Sequence, residues 1–241
     1  PQQLFIQIIP HVIVHLGHDL FKSVFSQSWV NPRIDHGDKI PQSLRWEKAP
    51  QIQLNDEQQT AYNDILAQIH SGKPGVTLLQ GVTGSGKTEV YITLAQKLLQ
   101  EGRTAMILVP EIALTPQMVR WFHARFGGEA AVLHSGLSAG ERFDEWRRIR
   151  SGEARVIIGA RSAVFAPARN IGVIVVDEEH ETSYLSDKRP RYDAREVARY
   201  RADAAGAVLL LGSATPSIST YMRTMPGVRP ENALKRIELN R

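Results

Sequence analysis

Six short, mainly apolar runs, each separated from the next by a stretch of helical character, restrict how this chain can fold more than any other feature. They occupy residues 76–79, 105–109, 131–133, 156–158, 173–176 and 208–211. A strand with one face in water alternates apolar and polar side chains, whereas a strand covered on both faces reads as a continuous apolar run. Runs of the second kind joined by helices predict an α/β domain of three layers, with about six strands in a mainly parallel sheet. The regular pattern begins near Leu54. Asn55 is placed to cap a helix, with Gln58 at its third position as in a capping box. That helix passes through Ile65, Leu66 and Ile69 toward Gly72 and Pro74.

The 241 residues suffice for one large domain and a small appendage, which we divide as residues 51–241 and 1–50. The appendage carries turn signals at His36-Gly37-Asp38, Pro41 and Pro50. His11, His15 and His18 are spaced for one helical face, yet Val12-Ile13-Val14 reads equally as a strand and no carboxylate stands at ligand spacing. No zinc site is therefore expected there. The absence of cysteine excludes disulfides, thiolate zinc sites and thiol catalysis. The apolar stretch at residues 8–16 is broken by Pro10, His11 and His15, falls short of the ~20 residues of a membrane span, and lacks a basic leader. A soluble, cytoplasmic protein with no membrane partner is expected. The net charge of +4 is unevenly spread: residues 181–241 carry 11 basic and 7 acidic side chains, against 13 and 14 in residues 51–180. A local basic excess suits a polyanion, although a solvated helix face has the same composition.

The first of the large domain's apolar runs leads into Gly81-Val82-Thr83-Gly84-Ser85-Gly86-Lys87-Thr88, and a helix follows at Glu89-Val90-Tyr91. This is G-x-x-x-x-G-K-T between a strand and a helix. Its glycines let backbone N–H groups turn toward a triphosphate at the positive end of the helix dipole. Lys87 would reach the β and γ phosphates of ATP, and Thr88 would give its hydroxyl to Mg²⁺. The fifth run ends in Asp177-Glu178-Glu179-His180. Acids at the C-terminal end of a buried strand stand where open α/β sheets bind ligands, so Asp177 can hold Mg²⁺ and Glu178 can orient and deprotonate a water. Acids there could also do no more than cap the next helix. After the last run comes Gly212-Ser213-Ala214-Thr215-Pro216, whose hydroxyls could link the acids to another ligand or simply form a turn.

In this order the three motifs resemble those of superfamily 2 helicases: a Walker A loop, a D-E-x-H Walker B and an S-A-T motif. The finer wording is similar to the primosomal replication-restart helicases, and it spans about residues 46–241. It lies in residues 81–91, 109–117, 133–138 with Glu141, Arg142 and Trp146, then 159–167, 177–184, 190–198 and 212–217. The resemblance implies a RecA-like P-loop NTPase domain, the first motor lobe of an ATP-dependent, 3′→5′ DNA helicase. It implies action on forked or single-stranded DNA, with primosome proteins and single-stranded DNA-binding protein as partners. Gln58 is similar in placement to residues that contact adenine, and Gly81, Thr83, Gly84, Ser85 and Gly86 would cradle the phosphates. His180, Ser213 and Thr215 would couple the two ligands. Arg161 and Ser162 look like part of the DNA path, and residues 184–192 like a loop that couples single-strand binding to hydrolysis. The residues there agree: Tyr184 and Tyr192 would stack bases while the interleaved Lys188, Arg189, Arg191 and Arg195 follow phosphates.

The chain departs from the family's wording at Asp193, where His is usual, and at Leu185, where Lys or a similar residue is usual. In the family the first 45 or so residues would end a winged-helix domain. A second lobe supplying an arginine finger, and a zinc-bearing cysteine-rich segment, would belong to a longer protein. The isolated lobe is therefore expected to hydrolyse ATP poorly. Two other readings use the same motifs: the motor lobe of a different superfamily 2 repair or restriction translocase, or a nucleotide-gated DNA-binding module that is not an enzyme.

Overall fold

A computed structural model describes residues 52–187, 189, 191–229 and 233–240. The expectations for residues 1–50 and for Lys188 lie outside these residues. The first element, α1 (Asp56–His70), starts as its sequence predicts. The Asn55 side chain accepts from Gln58 N at 2.9 Å, and Gln58 Oε1 accepts from Asn55 N at 2.9 Å. Strand and helix then alternate: β1 (Gly75–Gly81), α2 (Lys87–Gln100), β2 (Thr104–Leu108), α3 (Pro116–Phe126), β3 (Ala130–Leu133), α4 (Ala139–Ser151), β4 (Val156–Gly159) and β5 (Ile171–Val176). The order closes with α5 (Ala194–Ala205), β6 (Val208–Ser213), the short α6 (Ile218–Met222) and β7 (Lys235–Leu239).

The strands form one seven-stranded sheet in the order β3-β4-β2-β5-β6-β1-β7, and every pairing is parallel. Alternation along each strand explains the continuous apolar runs. Leu79, Ala105 and Ile107 pack on one face with Ile65 of α1, Val90 and Leu94 of α2 and Phe122 of α3. Leu78, Met106 and Leu108 pack on the other with Ile149 of α4 and Ala198 and Ala202 of α5. Neither face meets water, so both sets are mainly apolar, and the buried Thr77 and Thr104 hydroxyls donate to Gln68 Oε1 at 2.6 Å and Arg169 O at 2.7 Å. Each buried Leu or Ile contributes roughly 1.5–3 kcal/mol relative to leaving it exposed.

All six predicted runs are strands, and the seventh strand corrects their number. Lys-Arg-Ile-Glu-Leu is a sheet edge, not a buried run: Lys235, Arg236 and Glu238 are exposed, while Leu239 is buried. Charged side chains are usual on such an edge, where they discourage pairing with another chain. Lys235 pairs with Asp64 of α1 at 2.8 Å, and Asn240 N donates to Glu57 Oε2 at 2.8 Å.

The sheet register brings three motifs to one level. Leu79 lies opposite Gly212 and Gln80 opposite Ser213, while Val176 lies opposite Leu211. The loop after β1, the acids after β5 and the small residues after β6 therefore emerge side by side on adjacent strands.

Candidate nucleotide site and nucleic-acid face

The loop from Gly81 to Gly86 is shaped by glycine. Gly84 and Gly86 have φ of +82° and +81°, a region that side-chain-bearing residues rarely adopt. A Cβ at Gly86 would also overlap the Gln58 amide. Gly86 caps α2 with no side-chain hydrogen bond, which leaves first-turn N–H groups directed at the loop. Ser85 N donates to Val82 O at 3.0 Å, closing the turn. Ser85 Oγ is buried without a hydrogen-bond partner, and Thr83 is exposed at the rim. Lys87 is buried, and its ammonium donates to Gly81 O at 2.6 Å and Val82 O at 3.3 Å, with Glu178 Oε1 at 4.0 Å. Gln58 reaches the same loop, its Nε2 donating to Ser85 O at 3.0 Å. Its amide thus braces the loop from α1 while its oxygen completes the cap.

Beyond β5 the chain turns sharply. Asp177 N donates to Leu108 O at 2.9 Å, and Glu178 adopts φ +46°. A non-glycine residue held there costs on the order of 1–3 kcal/mol and persists only where its surroundings fix it. Glu179 supplies that fixation. Its N–H donates to Gly212 O at 2.9 Å and its carbonyl accepts from Arg195 Nη1 at 2.8 Å. Its carboxylate, 1% exposed, accepts from Ser217 N at 2.6 Å, Ser217 Oγ at 3.2 Å and Thr220 Oγ1 at 3.0 Å. Burial, and next the Glu178 charge, raise Asp177 from 3.8 to about 6, with Lys87 and a Tyr91 hydrogen bond opposing them.

The expected coupling residues meet here. His180 Nδ1 lies 2.9 Å from Ser213 Oγ and 3.6 Å from Glu178 Oε2, and Thr215 N donates to Ser213 Oγ at 3.1 Å. Ser213 is fully buried, whereas Thr215 is exposed and contributes its backbone N–H. Among the described residues no group of three or more His, Asp or Glu is gathered to hold a metal alone. Thr88 and Asp177 offer a hydroxyl and a carboxylate, hard oxygen donors of the kind magnesium takes alongside phosphate oxygens. The glycine-shaped cradle and the buried, unpartnered Ser85 Oγ fit a phosphate group.

Sequence reasoning passed over Glu179 and Tyr91, and it read Arg195 as a cation following phosphates, whereas the guanidinium is engaged with the Asp193 carboxylate and the Glu179 carbonyl. One acid of three in a row carries no mark of burial, and Tyr91 reads as an ordinary helix residue. Asp193, which breaks the family's wording, caps α5 by accepting from Arg195 N at 2.9 Å and also holds the Arg195 guanidinium at 2.8 Å.

The expected DNA-contacting residues divide. Arg161 and Ser162 begin a 3₁₀ turn (Arg161–Phe165) after β4. Ser162 is exposed, and Arg161 donates to the carbonyls of Ser183 and Leu185. Arg191 is exposed, and Tyr192 is half-buried with its ring edge-on to Phe165 at 4.9 Å. Tyr184 requires correction. It is fully buried, and its hydroxyl lies 2.6 Å from Asp177 O and 3.1 Å from Leu108 O. An enclosed ring offers no face to a base. Tyr184 instead pins the acidic turn to β2.

The P-loop, the strand-end acids and the S-A-T turn on adjacent parallel strands agree with sequence comparison, which matches residues 55–224 to the DEAD/DEAH box helicases. The chain belongs to the DEAD/DEAH box helicase family. Within it, the chain is 50% identical over 194 residues to the replication restart protein PriA of Bacillus subtilis, covering 80% of this chain and 24% of that protein. It is 46% identical over 174 residues to PriA of Treponema pallidum, covering 72% of this chain and 26% of the relative. The chain thus spans about a quarter of the length of these relatives. Two solved helicases share the RecA-like fold. RecG bound to a three-way DNA junction has a TM-score of 0.57 at 24% identity, over 78% of this chain and 24% of that one. A hypothetical ATP-dependent RNA helicase from Sulfolobus tokodaii has a TM-score of 0.54 at 16% identity, over 78% and 53%. No helix among the described residues is long and apolar enough to cross a membrane.

Proposed function

We propose that this chain is the ATP-binding motor lobe of a replication-restart DNA helicase, coupling ATP hydrolysis to movement along DNA in the 3′→5′ direction. The observation that carries the reading is the junction of Lys87, Asp177, Glu178, His180 and Ser213 at the ends of β1, β5 and β6. Half-identity to PriA of Bacillus subtilis across four-fifths of the chain supports the replication-restart assignment over other translocases. The alternatives are another superfamily 2 repair or restriction translocase, and a non-catalytic, nucleotide-gated DNA-binding module.

In this reading the loop backbone from Gly81 to Gly86 and the first turn of α2 receive the phosphates, and Lys87 exchanges its bonds to Gly81 O and Val82 O for phosphate oxygens. Thr88 and Asp177 hold magnesium, which neutralises developing phosphate charge when bound. Glu178, aimed by its left-handed backbone, orients the attacking water and accepts its proton. His180 and Ser213 relay the state of the acid to the S-A-T turn. Gln58 holds the loop and, in its second capacity, contacts adenine. Single-stranded or forked DNA lies across Arg161, Ser162, Arg191 and Tyr192, with Lys188 adding a phosphate contact. The partners are primosome proteins and single-stranded DNA-binding protein, and the compartment is the cytoplasm. Zinc belongs to other segments of such a protein.

Strand displacement on forks bearing a free 3′ or 5′ arm, with the native gene product carrying this chain, tests the reading. ATP-dependent unwinding with 3′→5′ polarity is expected. ATP-dependent unwinding only with 5′→3′ polarity contradicts the direction, and DNA binding without ATP turnover favours the non-catalytic module.

A further inference from the structure

One hydroxyl joins three motifs that are far apart in sequence. Tyr91 lies on α2, four residues after Lys87 and three after Thr88, a spacing that keeps it on their side of the helix. Its ring is buried in the core between α2 and the sheet, and its hydroxyl donates to Asp177 Oδ1 at 3.2 Å. That hydroxyl also occupies the space where a side chain at position 212 would begin. A Cβ on Gly212 would land on it and would lie 3.1 Å from Asp177 Oδ1. The P-loop helix, the strand-end acid and the glycine just before the S-A-T motif thus converge on one oxygen atom.

Packing alone would be satisfied by phenylalanine, and a buried hydroxyl costs free energy unless it is hydrogen-bonded. The bond it makes here is to a carboxylate. A phenol carries its proton at neutral pH and donates it to the carboxylate oxygen. A carboxylate rotates over a broad range about its terminal torsion unless bonds fix it. The Glu178 backbone bonds to the Asp177 carboxylate, and the Tyr91 hydroxyl adds the side-chain bond that seats Oδ1.

We propose that Tyr91 is a positioning residue for magnesium: its hydroxyl fixes the rotation of the Asp177 carboxylate and leaves Oδ2 as the oxygen presented to the metal of a magnesium–nucleotide complex. The proposal rests on the nucleotide-binding reading above and adds a determinant outside the three motifs. It separates two parts of binding. The phosphate cradle is formed by backbone and the Lys87 ammonium, whose bonds go to Gly81 O and Val82 O and not to the Tyr91 hydroxyl, so metal-free affinity is independent of that hydroxyl.

The test is titration of a fluorescent ADP analogue into the wild-type chain and Tyr91→Phe, each in magnesium and in EDTA. In EDTA the two proteins should bind equally. In magnesium, Tyr91→Phe should bind about fivefold more weakly, the scale of one hydrogen bond, and the magnesium midpoint at fixed nucleotide should rise by a similar factor. Unchanged magnesium dependence overturns the proposal, as does an equal loss in both buffers, which would mark a packing role only. Gly212→Ala, which drives the hydroxyl from its seat, is a second variant expected to show the same magnesium-selective loss. A wild-type chain whose nucleotide affinity ignores magnesium would overturn the underlying site reading, an outcome distinct from failure at Tyr91.

Discussion

Asp177→Asn should stabilise the folded chain at alkaline pH while removing its magnesium-dependent nucleotide binding. Asp177 titrates near 6 in the folded state against 3.8 when unperturbed, chiefly because it is buried and secondly because Glu178 adjoins it. A raised carboxyl pKa contributes stability that is complete below about 4 and is lost as pH rises through about 6. At pH 8 the ionised carboxylate therefore costs the fold roughly 3 kcal/mol, from a shift of about two units at about 1.4 kcal/mol each. Asparagine keeps an acceptor for Tyr91 but places an amide NH₂ in the same enclosed site, which offsets about 1 kcal/mol or more. A net gain of about 1–2 kcal/mol remains, or roughly 3–6 °C in melting temperature for a chain of this size. The assay is thermal unfolding in EDTA at several pH values between 4 and 8. The variant should melt above the wild type at pH 8, and the gap should close as pH falls through 6. A variant less stable at pH 8, or a gap that ignores pH, would refute the reasoning.

Two further outcomes follow from the same network. Glu179→Ala removes the acceptor of Ser217 N–H, Ser217 Oγ and Thr220 Oγ1, so urea unfolding should show a loss of about 2–4 kcal/mol, about 1–3 for the buried Thr220 hydroxyl and about 1 for the part-buried Ser217 N–H, with the Ser217 hydroxyl keeping Thr220 Oγ1 as a partner. A loss below about 0.5 kcal/mol would contradict the role given to this carboxylate. Tyr184→Phe should lower stability by about 1 kcal/mol and leave single-strand affinity unchanged, since the ring is enclosed. Arg191→Ala should instead leave stability alone and reduce the salt slope of single-strand binding by about 1, which fluorescence anisotropy over a salt series measures; an unchanged slope removes Arg191 from the DNA face.

The sheet was legible because its chemistry is extreme. Strands such as Ile171–Val176 are covered on both faces and tolerate no polar residue, so they stand out as unbroken runs. The P-loop was legible because Gly84 and Gly86 must adopt a left-handed backbone, and few sequences satisfy that between a strand and a helix. The seventh strand was not, because Lys235–Leu239 pairs on one side only and keeps its charges in water. Tyr184 misled for a related reason. An aromatic beside a run of cations reads as a stacking platform, and only tertiary packing shows its hydroxyl turned inward to Asp177 O. The sequence marks Gln58 as part of a helix cap, whereas its bond to Ser85 O depends on how α1 crosses the loop. Glu179 was hidden because its partners lie 38 and 41 residues away and meet it only through the pairing of β5 with β6.

The proposed motor role requires the loop ending in Lys87 to bind nucleotide phosphates. The most direct measurement is the equilibrium affinity of the wild-type chain and Lys87→Ala for a fluorescent ATP analogue in magnesium. Removing the ammonium leaves the glycine turn intact but takes away a charge-assisted bond to phosphate. Affinity should fall tenfold or more, roughly 1.4 kcal/mol or greater, with melting behaviour little changed. Equal affinity in the two proteins would contradict the claim.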